Sequence, residues 1–211
     1  MTLLPALAFG FALGVRHATD ADHIAAIGTF IASRRTAIGA ASLGAMWGIG
    51  HSISVLLAGG ALVMLRVPMP VRLALALEFL VALMLITLGV RSLWARQRET
   101  QGSAVRPLLV GVVHGLAGSA VLALVVIGST SSPLVAAAYL ACFGVGTVAG
   151  MALVTVLLAL PAHLSVSRAL SIERSIRLAS GVASVVIGAL LAHRVGVQDG
   201  LFAAGALPFG R

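Results

Sequence analysis

Eight consecutive residues near the N-terminus, Arg16-His17-Ala18-Thr19-Asp20-Ala21-Asp22-His23, contain five ionisable side chains in an otherwise apolar stretch. Imidazoles suit nickel, cobalt, copper and zinc, while carboxylates neutralise charge and tolerate partial hydration, so this set fits a divalent transition metal. A thiolate carrier for copper(I) or mercury is excluded, because Cys142 stands alone in an apolar run. An all-oxygen site for magnesium or calcium would not call for histidine. Arg16 with Asp20 and Asp22 leaves one net negative charge, which favours a cation over an anion. On an ideal helix of about 100° per residue, His17, Asp20 and His23 fall within one face, at about 0°, −60° and −120°. Asp22, at about 140°, falls off that face and serves either another helix or an irregular segment. Arg16 and Asp20, four residues apart, are spaced to pair. Three further ionisable residues lie in apolar runs: His51, Glu78 and His114. His51 and His114 are candidate ligands, and Arg16 and Glu78 are candidate supporting residues. Glu78 is either a cavity carboxylate or the partner of an arginine near the interface. No His-Glu-x-x-His pair and no evident nucleophile accompany the histidines, so no catalytic residue is assigned.

The elements that hold these residues must cross a membrane. Of 211 residues, 60% are hydrophobic and 9% charged, with mean hydropathy +1.10; soluble domains carry about 25% charged residues. Runs of about 20 apolar residues mark six spans, at roughly 3–32, 37–65, 70–94, 106–127, 133–160 and 177–195. The excess length of the first, second and fifth implies tilt or interruption, with Gly10, Gly14, Gly48, Gly50, Gly144 and Gly146 as tolerant positions. Residues 162–176 read as an interfacial connection, and the tail from Gln198 is too short to span. The first run has neither a charged leader nor a cleavage pattern, which reads as a retained span. All 14 basic residues are arginine, and the net charge is +8. Most of the arginines flank spans, where the positive-inside rule and anionic lipids account for them; no nucleic-acid motif accompanies them. Placing the N-terminus outside puts nine arginines on the cytoplasmic side (34, 35, 91, 96, 98, 106, 168, 174, 177) and four outside (66, 72, 194, 211). Both termini are therefore expected outside.

The chain also echoes itself. Gly14-Val15-Arg16-His17 matches Gly111-Val112-Val113-His114, Trp47-Gly48-Ile49-Gly50-His51 resembles Phe143-Gly144-Val145-Gly146-Thr147, and Leu88-Gly89 parallels Ile187-Gly188, at offsets of 97, 96 and 99. The expected fold is all-α and polytopic: a three-helix repeat over 1–98, a cytoplasmic linker at 99–105 and a second repeat over 106–211. An odd number of spans per half inverts the second repeat, as in many secondary transporters with a midplane site. His17 and His114 would then approach each other across the pseudo-twofold axis.

The segment Arg16 to Ile24 closely resembles the hallmark of the nickel/cobalt transporter family, His followed after four residues by Asp-His. Gly48-Ile49-Gly50-His51-Ser52 and His114-Gly115-Leu116-Ala117-Gly118-Ser119 look like segments of its shorter, UreH-like relatives. The resemblance covers about residues 10–125 and is most specific at the first motif. It implies secondary uptake of nickel or cobalt at a bacterial cytoplasmic (inner) membrane, with His17, Asp22 and His23 essential and Asp20 a neighbour. Typical members have eight spans with the motif in the second; here the motif lies in the first of six. They also continue with Ile-Asp-Asn where this chain has Ile27-Gly28-Thr29.

The sequence thus leads to a non-enzymatic, gradient-driven carrier, since no nucleotide-binding motif is present. Its ligands would be His17, Asp20, His23 and His51, with Asp22 a ligand or outer partner and His114 a ligand or gate. Ni2+ or Co2+ is substrate rather than a tightly bound cofactor. Partners are that ion and the bilayer, with no nucleic acid, and a homo-oligomer is left open. The alternatives are a membrane accessory protein for urease-type enzyme maturation and a metal exporter.

Overall fold

The computed structural model describes residues 3–31, 36–67, 69–94, 105–130, 132–164 and 169–203. Among these the protein is entirely helical: α1 (Leu3–His17), α2 (Ala21–Ile31), α3 (Ala37–Leu65), α4 (Val71–Trp94), α5 (Val105–Ser129), α6 (Pro133–Leu164) and α7 (Ala169–His193). Among the described residues, four stretches are long and apolar enough to cross a membrane: Ala37–Leu65, Val71–Trp94, Pro133–Pro161 and Ser171–Gln198. At the expected first span lies the shorter apolar helix Leu3–His17, and at the expected fourth lies α5. Large apolar side chains such as Leu57, Leu65, Leu83 and Leu190 face outward, while histidines are among the most buried residues. In water that arrangement would be costly; lipid favours it.

The first run is not one rod. It breaks at Ala18-Thr19-Asp20, and neither Gly10 nor Gly14 interrupts α1. The break leaves few backbone groups unmet, which an apolar setting requires. Ala18 N–H donates to the Gly14 carbonyl, Thr19 N–H and hydroxyl to that of Arg16, and Asp20 N–H to that of His17. The Asp20 carbonyl accepts from Ile24 and starts α2. α3 contains a wider, π-helical turn at Val55–Gly59, five residues beyond Gly50. Ser54 stands just before it, with its hydroxyl on the His51 carbonyl. Residues 169–176 belong to α7 rather than to an interfacial connection. The helix continues through a π turn at Arg194–Gln198, after which Gly200, at φ +78°, turns the chain so that Phe202 packs on Phe79.

α1 lies along α6, α3 packs on both α5 and α6, α4 packs along α7, and α2 is held against α7. Glycines set these approaches. A Cβ on Gly14 would stand 2.1 Å from the Phe143 carbonyl oxygen, and one on Gly111 2.1 Å from that of Trp47. Gly10, Gly48, Gly50 and Gly146 likewise lie against backbone of neighbouring helices, and Gly144 against the Ser52 side chain. They serve close packing, the usual cause of small residues at helix contacts in lipid. Gly14→Val and Gly111→Val are each expected to destabilise by at least about 1–3 kcal/mol, the ordinary cost of overpacking. Thermal unfolding in detergent checks this, with Gly60→Val as control, since nothing lies within 4 Å of that Cβ.

Candidate metal centre

The break between α1 and α2 decides where the ionisable residues point. His17 closes α1, Asp20 lies in the turn, and Asp22 and His23 occupy the first turn of α2. A carboxylate is favoured there by the positive end of the helix dipole. Asp22 Oδ1 accepts from His23 N–H at 2.9 Å and lies 3.1 Å from His23 Nδ1. Its Oδ2 lies 3.0 Å from His114 Nε2 on α5. Asp22 therefore turns inward and joins α2 to the second half of the chain.

The shared face expected for His17, Asp20 and His23 is corrected accordingly, because residues 18–20 are not helical. Asp20 lies 2.8 Å from His17 Nδ1, with 49% of its side chain exposed. It takes the place of the expected Arg16–Asp20 pair, and Arg16 is exposed.

From α3, His51 reaches the same point. Its Nε2 lies 3.1 Å from His17 Nε2. Two nitrogens bound to one ion at about 2.0–2.1 Å stand roughly 3.0 Å apart at a right angle and 3.4 Å apart in a tetrahedron. The observed pair already has the spacing of two ligands. His23 sits between, its ring 4.5 Å from that of His17 and 4.2 Å from that of His114. Among the described residues His17 and His114 make no ring contact, so the expected approach across the axis is filled by His23 and His51.

Two groups could each hold an ion: His17, His23 and His51, and Asp22, His23 and His114. Within each, the ligand atoms lie within 4.8 Å of one another. His23 and His51 are fully buried and His114 nearly so. Three of their ring nitrogens, His23 Nε2, His51 Nδ1 and His114 Nδ1, have no hydrogen-bond partner. Leaving a buried polar group unmet costs about 1–3 kcal/mol, a cost that a bound cation could offset.

The walls are aromatic. Trp47, fully buried, stacks on His23 at 5.9 Å and meets His114 edge-on at 6.1 Å, while Phe143 lies 5.5 Å from His17. In the sequence these two residues stand out only as repeat markers. Their signal was present, since Trp47 precedes His51 by four residues and so shares its helix face. Glu78 belongs to neither group and lies within electrostatic reach of Arg194 and Asp199 at the end of α7. Gly28 has no room for the aspartate of familiar transporters, because a Cβ there would stand 1.9 Å from Ser180 Oγ and 2.5 Å from its Cβ. His193 is exposed at a helix end. The His163 side chain, most of the 99–105 linker and Arg34, Arg35, Arg96, Arg98, Arg168 and Arg211 lie outside the described residues.

Comparison with known proteins gives two findings. The family model described as high-affinity nickel-transport protein (NicO) matches residues 3–104, which include every candidate ligand except His114. A urease accessory protein, UreH, from Bacillus sp. (strain TB-90) is 29% identical, the match spanning 95% of this chain and 96% of that protein. No solved structure matches. The chain is thus similar to the nickel-transport family over residues 3–104 and to UreH along nearly its whole length.

Proposed function

We propose that the protein is a secondary carrier that moves a divalent transition-metal ion, nickel first and cobalt second, across the bacterial cytoplasmic membrane. The observation that carries this reading is the cluster of four histidines, three of them buried, and Asp22, drawn from α1, α2, α3 and α5, with unpartnered ring nitrogens on the buried three. Neutral imidazoles replace the hydration shell of a borderline cation, and Asp22 contributes negative charge in a site walled by Trp47 and Phe143. Asp20 and Asp22 hold one nitrogen of His17 and of His23, fixing the tautomer that leaves the other nitrogen free to bind. Such carboxylate–imidazole pairs are common behind metal ligands. The ion is substrate, and no tightly bound cofactor or catalytic step is needed.

An inverted repeat provides the moving parts, with both termini outside. The packing supports this reading. Gly14 meets Phe143 and Thr147 while Gly111 meets Trp47 and His51; Gly48 meets Val148 while Gly144 meets Ser52; Gly89 meets Gly181 and Val185 while Gly188 meets Ala82 and Ile86. Each pair becomes the other when the halves are exchanged at the sequence offsets. Two halves packed so alike can rock about a site between them.

The name of the UreH relative favours a second reading, an accessory role in metalloenzyme maturation without autonomous transport. Purified protein in liposomes containing a nickel-sensitive dye separates the two. Entry of Ni2+ faster than into protein-free vesicles is expected for a carrier; binding without flux would favour the accessory role.

A further inference from the structure

The carrier reading treats the cluster as a single site, but the geometry divides it. His17 and His51 face each other through Nε2 atoms 3.1 Å apart, whereas Asp22 and His114 meet at 3.0 Å. His23 is the member that both groups have in common. One of its ring nitrogens lies against Asp22, and the other is buried without a partner. An imidazole has two nitrogens on opposite edges, so it can serve one group with each.

We propose that the cluster is two adjoining ion positions that share His23, used in turn by a single divalent ion. The first is the three-imidazole position of His17, His23 and His51. The second is the mixed position of Asp22, His23 and His114, which reaches the second half of the chain through α5. At the first, Asp22 accepts the Nδ1 proton of His23 and leaves Nε2 for the ion. At the second, the ion takes the place of the protons now held between Asp22 and the two imidazoles, and each proton moves to the other nitrogen of its own ring, His23 Nε2 and His114 Nδ1, so that both imidazoles stay neutral. The move exchanges two neutral imidazoles for one carboxylate and one imidazole while His23 remains a ligand. The ion is thus never stripped of all its ligands in an apolar interior. Because one ring serves both positions, they are filled alternately.

This inference rests on the carrier reading, and Co2+ bound to the purified full-length protein tests it, with visible and X-ray absorption reporting the donor set. The wild type is expected to bind one Co2+ with three imidazoles. A His17→Asn/His51→Asn double variant is expected to retain one Co2+ with two imidazoles and a carboxylate. His114→Asn is expected to retain the three-imidazole spectrum and an affinity within about tenfold of wild type, yet to lose flux in liposomes. Four imidazoles and a carboxylate around one ion in the wild type would overturn the two-position arrangement without touching the carrier reading, and needs no variant to fold. Loss of all binding in both the double variant and His114→Asn, with helicity and monodispersity intact, would do the same. Absence of Co2+ and Ni2+ binding by the wild type overturns both readings.

Discussion

Replacing His23 with alanine is expected to abolish cellular nickel accumulation while leaving the protein in the membrane. His23 is fully buried, and its ring contacts those of His17, His51, His114 and Trp47. It belongs to both groups able to hold an ion. Loss of an outer partner of a metal ligand typically costs about 10–100-fold; loss of the shared ligand should exceed that. Folding is less affected, because two terms oppose. Truncation opens a cavity, which destabilises, but it also removes a buried ring nitrogen that lacks a partner, a group costing about 1–3 kcal/mol. Accumulation is read with radioactive nickel and membrane level by immunoblot. Uptake retained at normal membrane levels would sink the site assignment. His17→Ala carries the same expectation for transport.

The second large effect belongs to Asp22. Asp22→Asn keeps the shape and removes the charge, but an amide cannot accept from His23 and His114 with both of its terminal atoms. One of the two imidazoles loses its orientation, so affinity for Ni2+ is expected to fall by about 10–100-fold. Asp20→Asn should weaken binding less, because Asp20 is half exposed and holds only His17. Titration calorimetry on the two variants checks the order. If Asp20→Asn costs as much as Asp22→Asn or more, the inward role of Asp22 is wrong.

That ordering is the reverse of what an ideal helix suggests. Continued through residue 23, the helix of α1 would carry Asp20 with the histidines and turn Asp22 away. Local sequence does not announce the break. Ala18-Thr19 is no stronger a breaker than Gly10 or Gly14, which are richer in conformational freedom yet lie within regular helix. What holds the break is a set of hydrogen bonds at Gly14, Arg16, His17 and Asp20, together with the separate packing of α1 on α6 and α2 on α7. The same applies to α3, where the irregular turn falls at Val55–Gly59 rather than at Gly48 or Gly50.

Composition, the lengths of the apolar runs and the density of ionisable groups in the first run were enough to expect a helical protein, with helices long and apolar enough to cross a membrane, and a cluster of side chains of the types that ligate metals. These are properties of residue type and linear spacing. The glycine echoes at near-constant offsets also identified His51 and His114 as candidates from distant parts of the chain. Tertiary packing alone decided how the candidates divide: Asp22 inward, Asp20 at the rim, Glu78 elsewhere, and Trp47 and Phe143 as walls. The reason is geometric. A side chain's direction depends on the backbone at its own position, and its neighbours depend on how closely glycines let the helices approach. Neither is written in spacing along one segment.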